Sequence, residues 1–344
     1  MEPHHILGFF VQDANSYVIK QFGAGLIHQT FVVEKNESPV YILQHINRQV
    51  FKNPDDIAFN LASMSDFLEA RNFGFLVPFP IRTNSGHMHA VVDGEFYRLT
   101  SFVNDTHSLN ECQDAGQAYE AALQFGRFTA SFNGFDSKLL KPSIPGFHDL
   151  QFRWNQFQDA LKNGNAKRIE YAKKQISLIR DNHNIVDQFI KIEKSADFLQ
   201  RVTHHDTKIN NVLFNKQGKS VCVIDLDTTM SGLIISDLGD MFRTYLSPGN
   251  EEDTDLQKVF VRKDCLQAII EGYKEYMADK MTTIEMSAIG YAGEFMIYMQ
   301  ALRFLTDFLN DDIYYGIRHE MNNFDRTINQ LQLLKDYQSQ MRSV

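Results

Sequence analysis

RVTHHDTKINNVLFNKQGKSVCVIDLDTTMSGLIISDLGD, residues 201–240, is the stretch on which the fold turns. Val212–Phe214 and Val221–Ile224 are short apolar runs suited to strands, and Asn215–Lys219 between them reads as a turn around Gly218. In an antiparallel hairpin centred on Gly218, Asn211 and Asp225 each stand seven residues from the centre. They then face one another at the open end, roughly 5 Å apart, give or take a slip of one residue or so. A carboxamide oxygen beside a carboxylate is a hard-oxygen pair of the kind Mg²⁺ takes, with positions left for water and phosphate. Asp206 lies on the loop just before, off the hairpin, where it can accept a proton from a substrate hydroxyl.

Each of these residues alone is ordinary. An Asp ahead of a strand is usually a turn or cap residue, and the His204–His205 pair is not a metal site by itself. The signal is the combination: H-x-D-x-x-x-x-N over 204–211, a short hairpin, then V-I-D over 223–225. That combination resembles the catalytic loop and metal-binding Asp of the aminoglycoside phosphotransferase/choline kinase superfamily. The longer strings HHDTKINNVLFN, CVIDLDTTMSG, SDLGDMFR and ALRFLTDFLNDDIYY are similar to the N-acetylhexosamine 1-kinases within it. The resemblance runs from a Gly-rich segment near the N-terminus to Tyr315. It implies ATP- and Mg²⁺-dependent phosphorylation of the anomeric hydroxyl of N-acetylglucosamine or N-acetylgalactosamine. Asp206 would be the base, Asn211 and Asp225 the metal ligands, and Asp227 a neighbour of the reacting sugar. His204 and Asp240 would support the catalytic loop.

Outward from this centre, the pattern of elements predicts an α+β, two-lobed, protein-kinase-like fold. A small β-rich lobe (1–103) would carry the nucleotide and a larger, mainly helical lobe (104–344) the catalytic and acceptor residues. Residues 17–21, 29–34, 40–46, 89–92 and 95–102 are β-prone, and Asp93-Gly94 is a two-residue hairpin signal. One helix interrupts them, with Asn53 as cap, Pro54 at its first position and Ile57, Leu61, Met64 and Leu68 on one stripe. Helical spacing then dominates over 114–132, 166–194 with a break near 181–184, 256–277, 284–309 and 321–339.

The nucleotide side carries a departure from the wider kinase pattern. Gly23 and Gly25 sit between two predicted strands, where backbone N–H groups can approach phosphate, although such a pair is often only a turn. The following strand, VYILQHI over 40–46, has Gln44 where a phosphate-orienting Lys is expected. The helix that should carry the Glu partner reads IAFNL over 57–61, with no acid on that turn. His45 and Arg48 are the nearby sources of positive charge. Adenine is expected against the inter-lobe linker around Phe102 and Val103.

On the acceptor side, Arg303, Asp307 and Asn310 share one helical face, with Tyr314 just beyond. They read as a polar rim over a sugar, or, for the first two, as an ordinary i,i+4 ion pair. Phe147–Asp149 and Arg153 are further acceptor-side candidates. A choline-like cation would instead favour an aromatic cage, and with 28 Phe and 13 Tyr the composition leaves that open.

A net charge of −9 argues against unspecific nucleic-acid or anionic-membrane binding. An anionic nucleotide therefore needs a metal or a local basic group. Three widely spaced cysteines with no C-x-x-C argue against structural zinc and a disulfide framework and fit a reducing, cytoplasmic setting. No secretory pattern opens the chain, and Met286–Leu305, with Glu294 and Arg303 inside it, reads as a core helix rather than a span. No protein partner is implied. The rival readings are an amino-alcohol kinase of the same fold and a nucleotide-binding pseudokinase, the latter prompted by Gln44.

Overall fold

The computed structural model describes residues 3–23, 27–71 and 74–341. A short helix α1 (Pro3–Leu7) precedes strands β1 (Val18–Gln21), β2 (Gln29–Lys35) and β3 (Ser38–His45). Helix α2 (Pro54–Ala70) and strands β4 (Ala90–Val92) and β5 (Glu95–Ser101) follow, and the sheet runs β1-β2-β3-β5-β4, antiparallel throughout. The β4–β5 hairpin turns on Asp93 and Gly94, both at positive φ, as the Asp-Gly signal predicts.

Side-chain alternation along β3 and β5 decides what this sheet offers to each side. Leu43 pairs with Leu99, and both are buried in a small core with Ile6, Leu7, Phe10 and Val33. The next pair along, Gln44 opposite Arg98, therefore faces the other way. His45 returns to the Leu43 face, stacked on Tyr97.

Helix α2 buries the predicted stripe of Ile57, Leu61, Met64 and Leu68. Asn53 stands at its N-cap position without a side-chain capping bond, and Pro54, Asp55 and Asp56 make up the favourable first turn. Asn60 ties this helix to the rest of the chain, donating to the Lys141 and Thr229 carbonyls and accepting from Lys141 N–H.

Beyond Ser101 the chain leaves the five-stranded sheet, and β6 (Thr106–Ser108) pairs instead with a later strand. Helix α3 (Ala115–Ser131) is capped by Asp114, which accepts from Gln117 N–H at 2.9 Å. Helices α4 (Leu150–Asn163), α5 (Ala166–Tyr171), α6 (Lys173–Asp181) and α7 (Asn184–Glu193) follow. The expected break near 181–184 is present, and a second one falls at Ala172. Next come β7 (Arg201–Thr203), β8 (Val212–Asn215), β9 (Ser220–Val223) and β10 (Met230–Gly232), in two small sheets ordered β6-β8-β9 and β10-β7.

The chain ends in α8 (Ile234–Tyr245), α9 (Lys263–Met277), α10 (Thr283–Ser287), α11 (Ile289–Leu309) and α12 (Asn322–Met341). The predicted helix from 256 starts only at Lys263, and α4 and α8 carry no expectation from the sequence. Helices α3 and α9 touch backbone to backbone: a Cβ on Gly126 would lie 2.6 Å from the Tyr273 carbonyl, and one on Gly272 2.3 Å from that of Tyr119. Helix α11 is buried along most of its length in the main core, and no helix among the described residues is long and apolar enough to cross a membrane.

Candidate active site

The β8–β9 hairpin forms as expected, but its register differs by one residue. Val212 pairs with Val223 and Leu213 with Cys222, while Phe214 pairs with Ser220, so Val221 is extra and makes a bulge. Asn211 consequently faces Ile224, whose N–H donates to its carbonyl at 2.9 Å, and not Asp225. Asp225 enters the left-handed region at φ 61°, and its exposed side chain lines the same cleft as Asn211.

That cleft, of about 340 Å³, lies between the five-stranded sheet and the β8–β9 hairpin. Gln44, Arg98, Phe102 and Val103 line it from one side and Asn211, Leu213, Ile224 and Asp225 from the other. The Phe102 N–H is engaged by the Val40 carbonyl at 2.8 Å, and its ring meets Phe22 edge-on at 6.2 Å. Gly23 has φ 66° with open space where a side chain would stand. Gly25 lies outside the described residues.

Asp206 is bonded to this wall through Asn211, whose Nδ2 donates to the Asp206 carbonyl at 2.9 Å and to Oδ2 at 3.0 Å. Lys208, half-exposed, sits 3.1 Å from Oδ1. Burial lifts the Asp206 carboxyl, but Lys208, His204 and Asn211 outweigh it and hold its pKa below the ordinary carboxylate value. The group is an ionised acceptor at neutral pH.

The loop carrying Asp206 is held from beneath by α8. Asp237, fully buried, accepts the N–H groups of His204 at 2.9 Å and His205 at 2.8 Å. Burial pushes its carboxyl up to about 6 against those two bonds. Asp240 accepts Thr207 N–H at 2.8 Å and is gripped by Arg243 at 3.1 and 3.0 Å. His204 is buried against Phe125 and Phe128, with Nε2 3.0 Å from the Ile224 carbonyl. Asp237 escapes the sequence reading because SDLGDMFR is recognisable there as a string, without the helix spacing that turns two acids toward one loop.

Asp227 is almost wholly buried and bonded on both oxygens. Arg98 makes a bidentate pair with it, its Nη2 at 2.9 Å from Oδ2, and His28 Nε2 lies 2.6 Å from Oδ2. His28 Nδ1 accepts from Asn47 N–H at 3.1 Å, so the proton is on Nε2 and points at Asp227. The His28, Asp225 and Asp227 ligand atoms all lie within 4.8 Å of one another. Although solvent reaches Asp225 through the cleft mouth, the surrounding walls desolvate its carboxyl, and this together with Asp227 and Asp206 pushes it up to about 6, with Arg98 and His28 opposing. His28 and Asp227 are spent on one another and on Arg98, so the residues that could hold a divalent cation here are Asn211 and Asp225. Asn211 uses its amide nitrogen on Asp206, which leaves its oxygen for the cleft, and Asp225 is crowded by negative charge that a cation relieves.

His45 and Arg48, the expected sources of charge beside Gln44, are employed elsewhere. His45 bonds Glu95 at 2.8 Å on the opposite face of the sheet, and Arg48 bonds the Gly94 carbonyl at 3.2 Å over the Phe96 ring.

A second cluster adjoins the loop that carries Asp206. The His148 ring lies 5.1 Å from that of His205 and stacks on Phe147 at 4.6 Å. The Arg303 guanidinium lies over Phe147 and Tyr315, each at 5.4 Å, and Tyr314 at 5.8 Å. Arg153, buried, donates to the Phe147 carbonyl at 3.2 Å, and burial followed by Arg303 lowers it to about 10. Asp307 does not pair with Arg303. It is buried, accepts the N–H groups of Tyr314 and Tyr315 at 2.9 Å each, and takes Asn323 Nδ2 at 3.0 Å. Asn310 is the C-terminal cap residue of α11.

A family model described as "Phosphotransferase enzyme family" matches residues 18–275, most of the chain. The chain belongs to this phosphotransferase family. Its fold is that of solved members and neighbours. An aminoglycoside phosphotransferase from Alicyclobacillus acidocaldarius is 11% identical over 100% of this chain and 97% of that one, with a TM-score of 0.66. The microcompartment-associated aminopropanol kinase is 17% identical over 98% and 97%, also at 0.66. A choline kinase from Cryptosporidium parvum is 14% identical over 98% and 96%, at 0.57. At these identities the likeness is one of fold, and it matches the small antiparallel sheet and larger helical part of this phosphotransferase.

Proposed function

We propose that this phosphotransferase moves the γ-phosphoryl group of ATP, with Mg²⁺, to the anomeric hydroxyl of an N-acetylhexosamine, giving ADP and the sugar 1-phosphate. The observation that supports the reading is that Asn211 and Asp225 line one inter-lobe cleft while Asn211 bonds the Asp206 carboxylate just behind it. Asn211 and Asp225 would hold the cation, which neutralises charge on the phosphates. Asp206, ionised and held by Asn211, takes the proton of the acceptor hydroxyl as that oxygen bonds the phosphorus and the bond to the ADP oxygen breaks. The Asp206 carboxylate set also supports an enzyme over a pseudokinase, since a pure binder has no use for a base.

The choice of a sugar over an amino alcohol rests on the cluster beside His205. A cationic acceptor needs a carboxylate or open aromatic faces. Here the Phe147, Tyr314 and Tyr315 rings already face the Arg303 guanidinium, Arg153 adds a second positive charge, and Asp307 is turned into its own loop. Guanidinium donors suit vicinal hydroxyls and an acetamido carbonyl, and they repel an ammonium group. In this arrangement Arg303 and Tyr314 contact the acceptor, while Asp307 holds the loop that presents Tyr314. Asp227 acts beside the reacting centre through its bonds to Arg98 and His28.

The test uses the chemistry of the anomeric carbon. A free N-acetylhexosamine is reducing, and phosphorylation at C1 locks the ring and removes the reducing end. ADP formation and loss of reducing sugar should rise together, mole for mole. ADP accumulating while reducing sugar stays constant would reject the 1-kinase assignment. ADP release with an amino alcohol and with neither N-acetylhexosamine would put the amino-alcohol reading in its place.

A further inference from the structure

The strand position where kinases carry a phosphate-binding Lys is Gln44 here, and the helix that would carry its Glu partner turns Asn60 toward the Lys141 and Thr229 backbone. The usual ion pair is therefore not formed: the strand offers no Lys, and the acids that α2 does carry are engaged elsewhere, Asp55 with His89, Asp56 with Lys141, Asp66 with Arg82 and Glu69 with Ser65. An ion pair of the same kind stands one strand over. Arg98 is the direct cross-strand partner of Gln44, on the same face of the sheet, and its Nε donates to Gln44 Oε1 at 2.8 Å. Its two terminal nitrogens hold Asp227, which lies two residues beyond the cleft-lining Asp225.

We infer that Arg98 is the phosphate-binding cation of this enzyme, and that the Arg98–Asp227 pair replaces the Lys–Glu pair, with both partners moved to different elements. Three observations carry this. Among the described residues that line the cleft, Arg98 is the one with a permanent positive charge. It is 5% exposed, so its guanidinium is held at the cleft wall by Gln44 and Asp227 and is not spent on bulk solvent. It is also oriented from two sides, by Gln44 from its own sheet and by Asp227 from the opposite lobe, which is what a Lys receives from a helix Glu. Arginine suits the place better than lysine would, because its fork satisfies a carboxylate with one edge and still presents donors to phosphate oxygens. The substitution at Gln44 is then a condition of the arrangement. A Lys opposite Arg98 would set two positive charges on directly facing strand positions.

This inference rests on the nucleotide-dependent reading above, and binding measurements separate the two. Calorimetry would compare adenosine with a non-hydrolysable ATP analogue and Mg²⁺, so that the gain from the phosphates is read directly. Arg98→Gln should reduce that gain roughly 10- to 100-fold, the usual worth of a charge-assisted bond, while adenosine affinity holds. Gln44→Glu should act in the same direction. It keeps the size of the side chain and its contact with Arg98 but pairs the guanidinium off. It serves if Arg98→Gln, which strips Asp227 of a buried partner, does not fold. Gln44→Lys combined with Arg98→Gln restores a cation to the strand pair and should recover part of the lost gain. Wild-type phosphate gain in both single variants would overturn the role of Arg98 alone. A wild-type protein that binds the analogue no better than adenosine would overturn the nucleotide reading and this assignment with it.

Discussion

Asn211 donates its carboxamide N–H to both the carbonyl and the carboxylate of Asp206, at 2.9 and 3.0 Å. One side chain thus orients the Asp206 carboxylate and leaves its own oxygen for the cleft. The bond also explains how Asp206, the proposed base, keeps a fixed relation to the cleft wall, although the hairpin register sets Asn211 opposite Ile224 and not Asp225.

Asp206→Ala should lower kcat by about 10²–10⁴-fold, the usual consequence of losing a general base. Nucleotide affinity should stay near wild type, because Asn211 and Asp225 remain. Steady-state turnover and a calorimetric titration with Mg²⁺ and a nucleotide check the two halves. A variant that turns over at close to the wild-type rate would remove Asp206 from the reaction.

Asp307→Ala should raise the KM for the acceptor on the order of tenfold, with little change in kcat or nucleotide affinity. The carboxylate anchors the Tyr314 and Tyr315 backbone and Asn323, and bonds to a charged acceptor are worth about 1.5–3 kcal/mol each. Its loss frees the loop that presents Tyr314 without touching the cleft. An unchanged acceptor KM would show that this loop takes no part in acceptor binding.

His205 gives the protein an acid-sensitive element. Burial lowers its pKa to about 4, against about 6.5 in an unfolded chain. The unfolded state therefore binds the proton more readily between those values. The stability contributed by the neutral ring is fully present above pH 6.5 and is lost as pH falls through 4. His205→Asn removes the titration, and Asn tolerates the positive φ at this position. Denaturant midpoints at pH 7.5 and pH 4 should show wild type losing about 3 kcal/mol more than the variant. Equal losses in the two proteins would contradict the buried, neutral state of His205.

The chemistry-bearing centre is legible in the sequence because its parts are close along the chain. Asp206, Asn211 and Asp225 fall within twenty residues around a single turn at Gly218, so spacing alone brings them near one another. The α2 stripe and the Asp93-Gly94 hairpin are legible for the same local reason: helix and strand periods and turn chemistry act over a few residues.

What tertiary structure decided is set by contacts between distant segments. Arg98 stands 54 positions from Gln44 and 129 from Asp227, and only the β3–β5 register and the meeting of the lobes bring the three together. Asp307 is placed to pair with Arg303 by helical spacing. Its burial makes the unpaired N–H groups of Tyr314 and Tyr315 and the amide of Asn323 the stronger claim on it. The one-residue bulge at Val221 likewise has no mark in an apolar run, since any of its residues can be the extra one. Local pattern determines which residues can do chemistry here. Which charge answers which is settled by burial, where an unpaired group costs too much to leave alone.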